Sequence, residues 1–357
     1  MRPVPGGERL LATVTGGSRG LRLLIGTAAA VIALAGLKAA AQIAGPAFLA
    51  LTLTIGVNPL RSWLRRRGAG TWLVVALPLV VVFLVLILLV GSLVWSVVRL
   101  VDVLPAYTAQ YESLLKFVTE RVHSLGITPD QVKDVIGKLD PNQIIPVLQG
   151  FLSGLLSVGT MVVLVTLILF GMNVDAPFLQ DAVRALAPGR PHLVAALGEF
   201  SRGTVRYLVV TTVFGLIVAV FDGIALWILG VPLPLLWALL AFITNFVPNI
   251  GFFIGLVPPA LLALLSSGWV TMVWVIVIYC VLNFVIQSVI QPKFTGESAG
   301  LSMTITILSL LVWTYVLGAL GAILAVPLSA LARALLIDAD PETSWASPLV
   351  TGPAVRT

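Results

Sequence analysis

The sequence predicts an all-α integral membrane protein: about six full transmembrane helices plus two broken, re-entrant helical hairpins, with a small external helical segment. Three observations predict it. Of the 357 residues, 59% are hydrophobic and 10% charged, and the mean hydropathy is +1.08, which no soluble domain of this length matches. The apolar residues run in stretches long enough to cross a hydrocarbon core of roughly 30 Å as helices rising about 1.5 Å per residue. Two of those stretches, 232–267 and 301–336, are interrupted by proline, glycine or asparagine, a break that survives in a bilayer only inside protein or beside a water-filled cavity.

The formal net charge is +6. Its basic residues cluster beside apolar runs, which is the positive-inside signature of membrane topology, and no nucleic-acid partner is expected. The one cysteine, Cys280, lies within an apolar run. It excludes an intramolecular disulfide and a cysteine metal site, and is expected to pack in the core.

Residues 1–98 hold the first three spans. Arg2, Arg9, Arg19 and Arg22 precede an apolar run over about 23–41. Ala39, Ala40 and Ala41 resemble a signal cleavage site, but Lys38 directly before them is wrong for one, so an uncleaved span is the better reading. Lys38 is expected to snorkel to the interface. The second span, about 43–60, ends in Arg61, Arg65, Arg66 and Arg67, a cytoplasmic anchor, and the third covers about 71–98.

Residues 99–150 change character and read as external. Tyr107, Tyr111, Leu114, Val118, Val122 and Leu125 recur at threes and fours, the stripe of an amphipathic helix. Thr128-Pro129-Asp130-Gln131 and Asp140-Pro141-Asn142-Gln143 each offer a cap, a proline at the first helical position and a capping-box glutamine, predicting two further short helices. The segment either caps its own protomer or joins protomers.

Residues 151–337 form the transport core. A fourth span over about 151–172 returns to the cytoplasm, where Arg184, Arg190, Arg202 and Arg206 flank a loop and a helix over about 190–207. A fifth span, about 208–229, contains Asp222; after the first broken stretch comes another, about 269–290. Val257-Pro258-Pro259 in one broken stretch is echoed by Val326-Pro327-Leu328 in the other, each following a glycine pair, Gly251 and Gly255 or Gly318 and Gly321. Two interrupted segments separated by one span enter the membrane from opposite sides, as in inverted-repeat transporters. Charge clusters and span count put both termini in the cytoplasm, and residues 338–357 read as a disordered tail.

The candidate substrate pathway is Asn245, Pro248, Asn249 and Gly251 in the first break, Asn283, Gln287 and Gln291 on the following span, and Gly318, Gly321 and Pro327 in the second break. Asparagines beside a broken helix offer amide donors and acceptors to a neutral, hydroxyl-rich solute or a partly dehydrated cation; the alternative is that they only satisfy the broken backbone. Asn283, Gln287 and Gln291 are spaced by four and share a helix face, as path lining or as glue between helices. Asp222 is the one carboxylate well inside an apolar span, which makes it the candidate for proton or ion coupling, unless it faces water near the outer end. Trp237, Trp269 and Trp313 read as interfacial anchors or packing. His123 and His192 lie on opposite sides of the membrane and form no metal pair. No phosphate-binding loop marks an ATP-driven pump, and Ser266-Ser267 has no nearby histidine to make a nucleophile. No catalytic residue, metal or cofactor is expected; the expected partners are the lipid bilayer and a small molecule or ion.

The sequence resembles the autoinducer-2 exporter family of bacterial membrane proteins. The likeness rests on Gly230-Val231-Pro232 with Leu236-Trp237-Ala238-Leu239-Leu240, on Asn245-Phe246-Val247-Pro248-Asn249-Ile250-Gly251, on Pro258-Pro259, and on the run from Leu317 to Leu328. It implies a multi-pass inner-membrane transporter linked to export of the quorum-sensing signal autoinducer-2, or to antiport of sodium or lithium against protons, working as a homo-oligomer for which it suggests a pentamer. Two positions depart from the family pattern. Asn249 stands where tyrosine is common, and Ile286 and Ser288 stand where a glutamate and an asparagine precede the proline at 292, which weakens the antiporter implication. The first functional expectation is therefore a secondary exporter working by alternating access, with both hairpins forming its central site and gates. A passive oligomeric channel and a membrane scaffold without solute are the alternatives.

Overall fold

The computed structural model describes residues 19–123, 141–248, 250–291, 302–343 and 346–350. Among these residues there is no strand. Six helical stretches are long and apolar enough to cross a membrane: Ala41–Arg66, Thr71–Phe117, Gln143–Leu186, Pro191–Ile228, Trp269–Gln287 and Ala319–Asp338. Their outward faces carry large apolar side chains in helical register, such as Val80, Leu84, Leu88 and Trp95, all exposed. Water would penalise such a surface; lipid does not.

The first described helices are α1 (Arg19–Ala39) and α2 (Ala41–Gly56), then α3 (Asn58–Arg66) with Arg65 and Arg66 in its last turn. Cations there complement the negative end of the helix dipole. Next come α4 (Thr71–Val103), a 3₁₀ turn (Leu104–Tyr107) and α5 (Thr108–His123). Two helices follow that are much longer than a bilayer is thick: α6 (Pro141–Leu186) of 46 residues and α7 (Pro191–Ile228) of 38. The first broken stretch becomes α8 (Pro234–Thr244) and α9 (Gly251–Ser267), and α10 (Trp269–Asn283) continues into a π-helical segment, Phe284–Ile290. The second broken stretch is α11 (Met303–Leu317) and α12 (Ala319–Arg333), which runs on through a π-helical Ala334–Asp338. A single turn, α13 (Ser347–Val350), is the last element described.

Several boundaries differ from those read in the sequence. The short helix expected at 140 and the span expected at 151 are one helix, α6. Asp140, the expected cap, lies outside the described residues, and a Cβ at Gly150 or Gly154 would meet nothing within 4 Å, so no contact forces a break there. Likewise the helix over 190–207 and the span over 208–229 are one, α7. The helix expected from Thr128 lies outside the described residues. The second arm of the second broken stretch reaches 20 residues because the helix continues past Arg333. Cys280 is exposed rather than packed in the core. It follows Tyr279, which is buried, and one residue along a helix turns a side chain about a quarter of the way round. In the segment read as a tail, Val350 accepts a hydrogen bond from the Ser302 amide (2.9 Å), and Arg333 pairs with Asp338 at 3.1 Å.

The bundle is arranged around α7, which packs on α2, α6, α8, α10 and α12. On one side, α4, α8, α9 and α10 share a core with it. Leu93, Val97 and Leu100 of α4 enter that core together with Leu226, Trp237, Leu256, Ala263 and Val275. On another side, α1, α2, α11 and α12 enclose Val316, Leu317, Leu324 and Leu328.

One buried polar contact ties α3 to α6. Pro177 lies inside α6 and has no amide hydrogen, so the carbonyl of Asn173, four residues earlier, loses its helical donor. The Arg61 guanidinium, 4% exposed, donates to that carbonyl from Nη2 at 3.0 Å. A side chain from another helix thus replaces the hydrogen bond that the proline removes. Arg61→Met is expected to destabilise the purified protein by about 1–3 kcal/mol, the cost of leaving a buried polar group unmet. Adding Pro177→Ala, which restores the amide, should recover most of the loss in thermal melts. A double variant no more stable than Arg61→Met alone would show that Arg61 serves some other group.

Candidate transport site

The site is built from the first break. Gly230 and Leu233 take left-handed backbone conformations, at φ 69° and 59°, and turn the chain from the end of α7 back into α8, which starts at Pro234. After Thr244 the broken backbone finds new partners within a few residues. The Val247 amide donates to the Thr244 carbonyl (2.9 Å), the Ile250 amide to Pro248 (2.7 Å) and the Gly251 amide to Val247 (3.0 Å). A Cβ on Gly251 would collide with the Thr244 carbonyl oxygen, and one on Gly255 would stand 3.1 Å from the Thr244 hydroxyl oxygen. Glycine at these positions lets α9 start directly against the end of α8.

Asn245, at the end of α8, joins three elements. Its Nδ2 donates to the Thr211 carbonyl of α7 at 3.0 Å, and its Oδ1 accepts from Nε2 of Gln287, in the π-helical segment after α10, at 3.1 Å. The same Gln287 nitrogen donates to Oδ1 of Asn283 at 2.7 Å, and Nδ2 of Asn283 donates to the Tyr279 carbonyl at 2.8 Å. Room for Asn245 comes from Gly215, where a Cβ would stand 2.7 Å from the Asn245 side-chain nitrogen.

Beside this chain of amides is a cavity of about 10 Å³, room for about one water molecule. α7 lines it with Val218 and Asp222, α8 with Ala241 and Thr244, α9 with Phe252 and Gly255, and α10 with Tyr279. Asp222 is 0% exposed. Among the described residues, neither of its carboxylate oxygens has a hydrogen-bond partner, and the Tyr279 hydroxyl is also buried without one. Groups of this kind are costly in a protein interior unless something meets them.

The sequence-derived candidates divide in two. Asp222, Asn245, Gly251, Asn283 and Gln287 line the same cavity. Pro248 lies in the turn beside it, and Asn249 lies outside the described residues. Gln291 does not line the cavity, because the π-helical segment makes wider turns than an α-helix and carries it out of the α-helical register. Gly318, Gly321 and Pro327 belong to the second broken stretch, whose arms pack on α1, α2 and α7, and none of the three lines the cavity. There Gly318 takes φ 65° between the arms, a Cβ on Gly321 would collide with the Trp313 carbonyl oxygen, and Trp313 Nε1 donates to Ser329 Oγ at 2.9 Å. Both broken stretches thus use a glycine to pass one arm against a carbonyl of the other.

Thr211, Gly215, Thr244 and Tyr279 are among the site residues that sequence reasoning missed. The signal was periodic: Thr211, Gly215, Val218 and Asp222 fall at i, i+4, i+7 and i+11, one face of a helix. Tyr279 lies four residues before Asn283 on the face already singled out.

A buried acid and three interlocked amides stand at a broken helix inside an apolar bundle, and comparison with known proteins assigns the chain to the membrane transporters. It belongs to the AI-2E family of transporters, whose family model matches residues 27–339. Over 317 residues the chain is 30% identical to YhhT of Escherichia coli (strain K12), a protein named for transport, covering 88% of this chain and 90% of that one. It is 27% identical over 317 residues to the AI-2 transport protein TqsA of the same organism, covering 89% and 92%. It is also 26% identical over 311 residues to YrrI of Bacillus subtilis (strain 168), likewise named for transport, covering 82% and 85%.

Gly251→Ala is expected to lower thermal stability by about 1–3 kcal/mol through overpacking at the α8–α9 turn. Gly26→Ala, inside α1 where a methyl meets nothing within 4 Å, should melt no lower than the parent, since alanine is the better helix former. Equal melting of the two variants would mean that the turn yields to the extra methyl.

Proposed function

We propose that this chain is a secondary transporter that exports a small solute by alternating access, with Asp222 carrying the coupling proton and the α8–α9 pair acting as a gate. The observation that supports this most directly is the fully buried, unpartnered carboxylate of Asp222 at the junction of α7, the first break and α10. A permanent charge there, without a counter-ion, would be expensive, whereas a group that gains and loses a proton during a cycle has a reason to be there.

The arms α8 and α9 have 11 and 17 residues, or about 17 and 26 Å of helix against a core of roughly 30 Å. We read them as a re-entrant hairpin that enters and leaves by the outer face, with both termini of the chain in the cytoplasm. The cavity is too small for a solute of several heavy atoms, so the solute compartment opens when this hairpin moves away from α7. Autoinducer-2 is the first solute to test, because one relative is named for its transport; sodium and lithium are the next.

The test is flux into liposomes holding the purified protein, with and without an imposed proton gradient. The parent protein should show saturable, gradient-responsive flux. Asp222→Asn should lose at least about tenfold of the gradient-driven component while remaining monodisperse, a loss equivalent to about 1.4 kcal/mol of coupling. Gradient-driven flux equal to the parent would remove Asp222 from the mechanism. Flux that neither saturates nor responds to the gradient would make the protein a passive channel.

A further inference from the structure

Within the cavity, the hydrogen-bond capacity is unevenly used. Both hydrogen bonds given by the Gln287 side-chain nitrogen go to other amides, Asn245 and Asn283, and Asn245 and Asn283 each donate to a backbone carbonyl. The amides are therefore largely occupied with one another. Among the described residues, the two carboxylate oxygens of Asp222 and the hydroxyl of Tyr279 are the buried side-chain groups of the cavity that lack a partner. Tyr279 is 1% exposed.

We propose that Tyr279 is the positioning residue for the proton on Asp222, its hydroxyl and one water-sized occupant of the cavity completing the hydrogen bonding of the acid in both of its protonation states. The proposal rests on the reading of Asp222 as the proton carrier. A phenol has one hydrogen to give and lone pairs to accept with. When Asp222 is ionised, the Tyr279 O–H donates to the water in the cavity, and the water donates to a carboxylate oxygen. When Asp222 takes up a proton, the acid O–H donates to the water, whose second lone pair still accepts from the phenol O–H. No covalent bond to the tyrosine is made or broken. A phenylalanine fills the same space but offers neither role, which is why the hydroxyl is needed.

No other titratable group among the described residues intervenes. Of the elements around Asp222, α2, α8 and α9 contain no titratable side chain, α10 adds to Tyr279 only Cys280, which is exposed, and α4, which shares a core with α7, carries Arg99 and Asp102, neither of which lines the cavity. The end of α12 carries Arg333, paired at 3.1 Å with Asp338 of the π-helical segment that follows. The far end of α6 carries Asp175, and Asp181 with Arg184 at 3.3 Å. The other titratable groups of α7 itself, His192, Glu199, Arg202, Arg206 and Tyr207, lie in its first half, and none of these residues lines the cavity.

The test compares the parent protein, Tyr279→Phe and Asp222→Asn in liposomes, measuring the pH profile of autoinducer-2 and lithium flux, alongside the infrared carbonyl band of the protonated acid in the purified protein. Absence of a band in Asp222→Asn assigns it to Asp222, and this readout does not depend on knowing the cargo. Tyr279→Phe should displace the flux profile by about one pH unit or more, the effect of removing a hydrogen bond to a charged group, and should shift the Asp222 band. An unchanged profile and an unchanged band in Tyr279→Phe would overturn the role of Tyr279 while leaving Asp222 as proton carrier. The absence of any Asp222 band at every pH, with gradient-driven flux intact in Asp222→Asn, would overturn both readings together.

Discussion

Inside a bilayer, a backbone that leaves the helix must be met by protein, and the rest of this structure depends on how that requirement is satisfied after Thr244. The turn closes on its own carbonyls, and Asn245 then fastens it to the two neighbouring helices, donating to Thr211 at 3.0 Å and accepting from Gln287 at 3.1 Å. Besides that side chain, the break is tied to α7 by the Tyr207 hydroxyl, which donates to the Phe246 carbonyl at 3.4 Å, and the rest is apolar contact, which in lipid has no hydrophobic driving force behind it. The polar junction is therefore what fixes where the broken element sits, and the cavity forms against it.

The same logic recurs elsewhere in the bundle with different chemistry. Pro177 removes a donor from α6, and Arg61 supplies one from α3. In each case a local break in backbone pairing is repaired by a side chain from a distant part of the chain, so the repair also specifies which helices are neighbours. Such contacts contribute specificity that apolar faces such as Val80, Leu84 and Leu88 cannot, since those faces fit lipid and protein alike.

Much of this was legible in the sequence. The membrane class, the two breaks, and the pairing of the Asn245 break with the Asn283 and Gln287 face followed from composition, proline chemistry and helical spacing, and Asp222 was singled out as an acid inside a span without being placed beside them. Three things did not follow. The continuity of α6 and α7 was hidden because apolar spans and their amphipathic extensions share a helical period and differ only in polarity, so the change in composition read as a boundary. The departure of Gln291 depends on a π-helical segment, which a spacing of four does not announce. The separation of Gly318, Gly321 and Pro327 from the cavity is a matter of which face of α7 each broken stretch occupies, and one sequence without long-range pairing information does not carry it.

Cys280 is the sole thiol in the chain and lies on the outside of the bundle, while Tyr279, its neighbour, is buried at the cavity. Any rotation or shift of α10 that alters what the tyrosine touches must carry the thiol with it on the exposed face about a quarter-turn away. The native chain therefore offers a single attachment point for a spin or fluorescent label, free of competing cysteines, at the residue best placed to report movement of the helix that holds the hydroxyl.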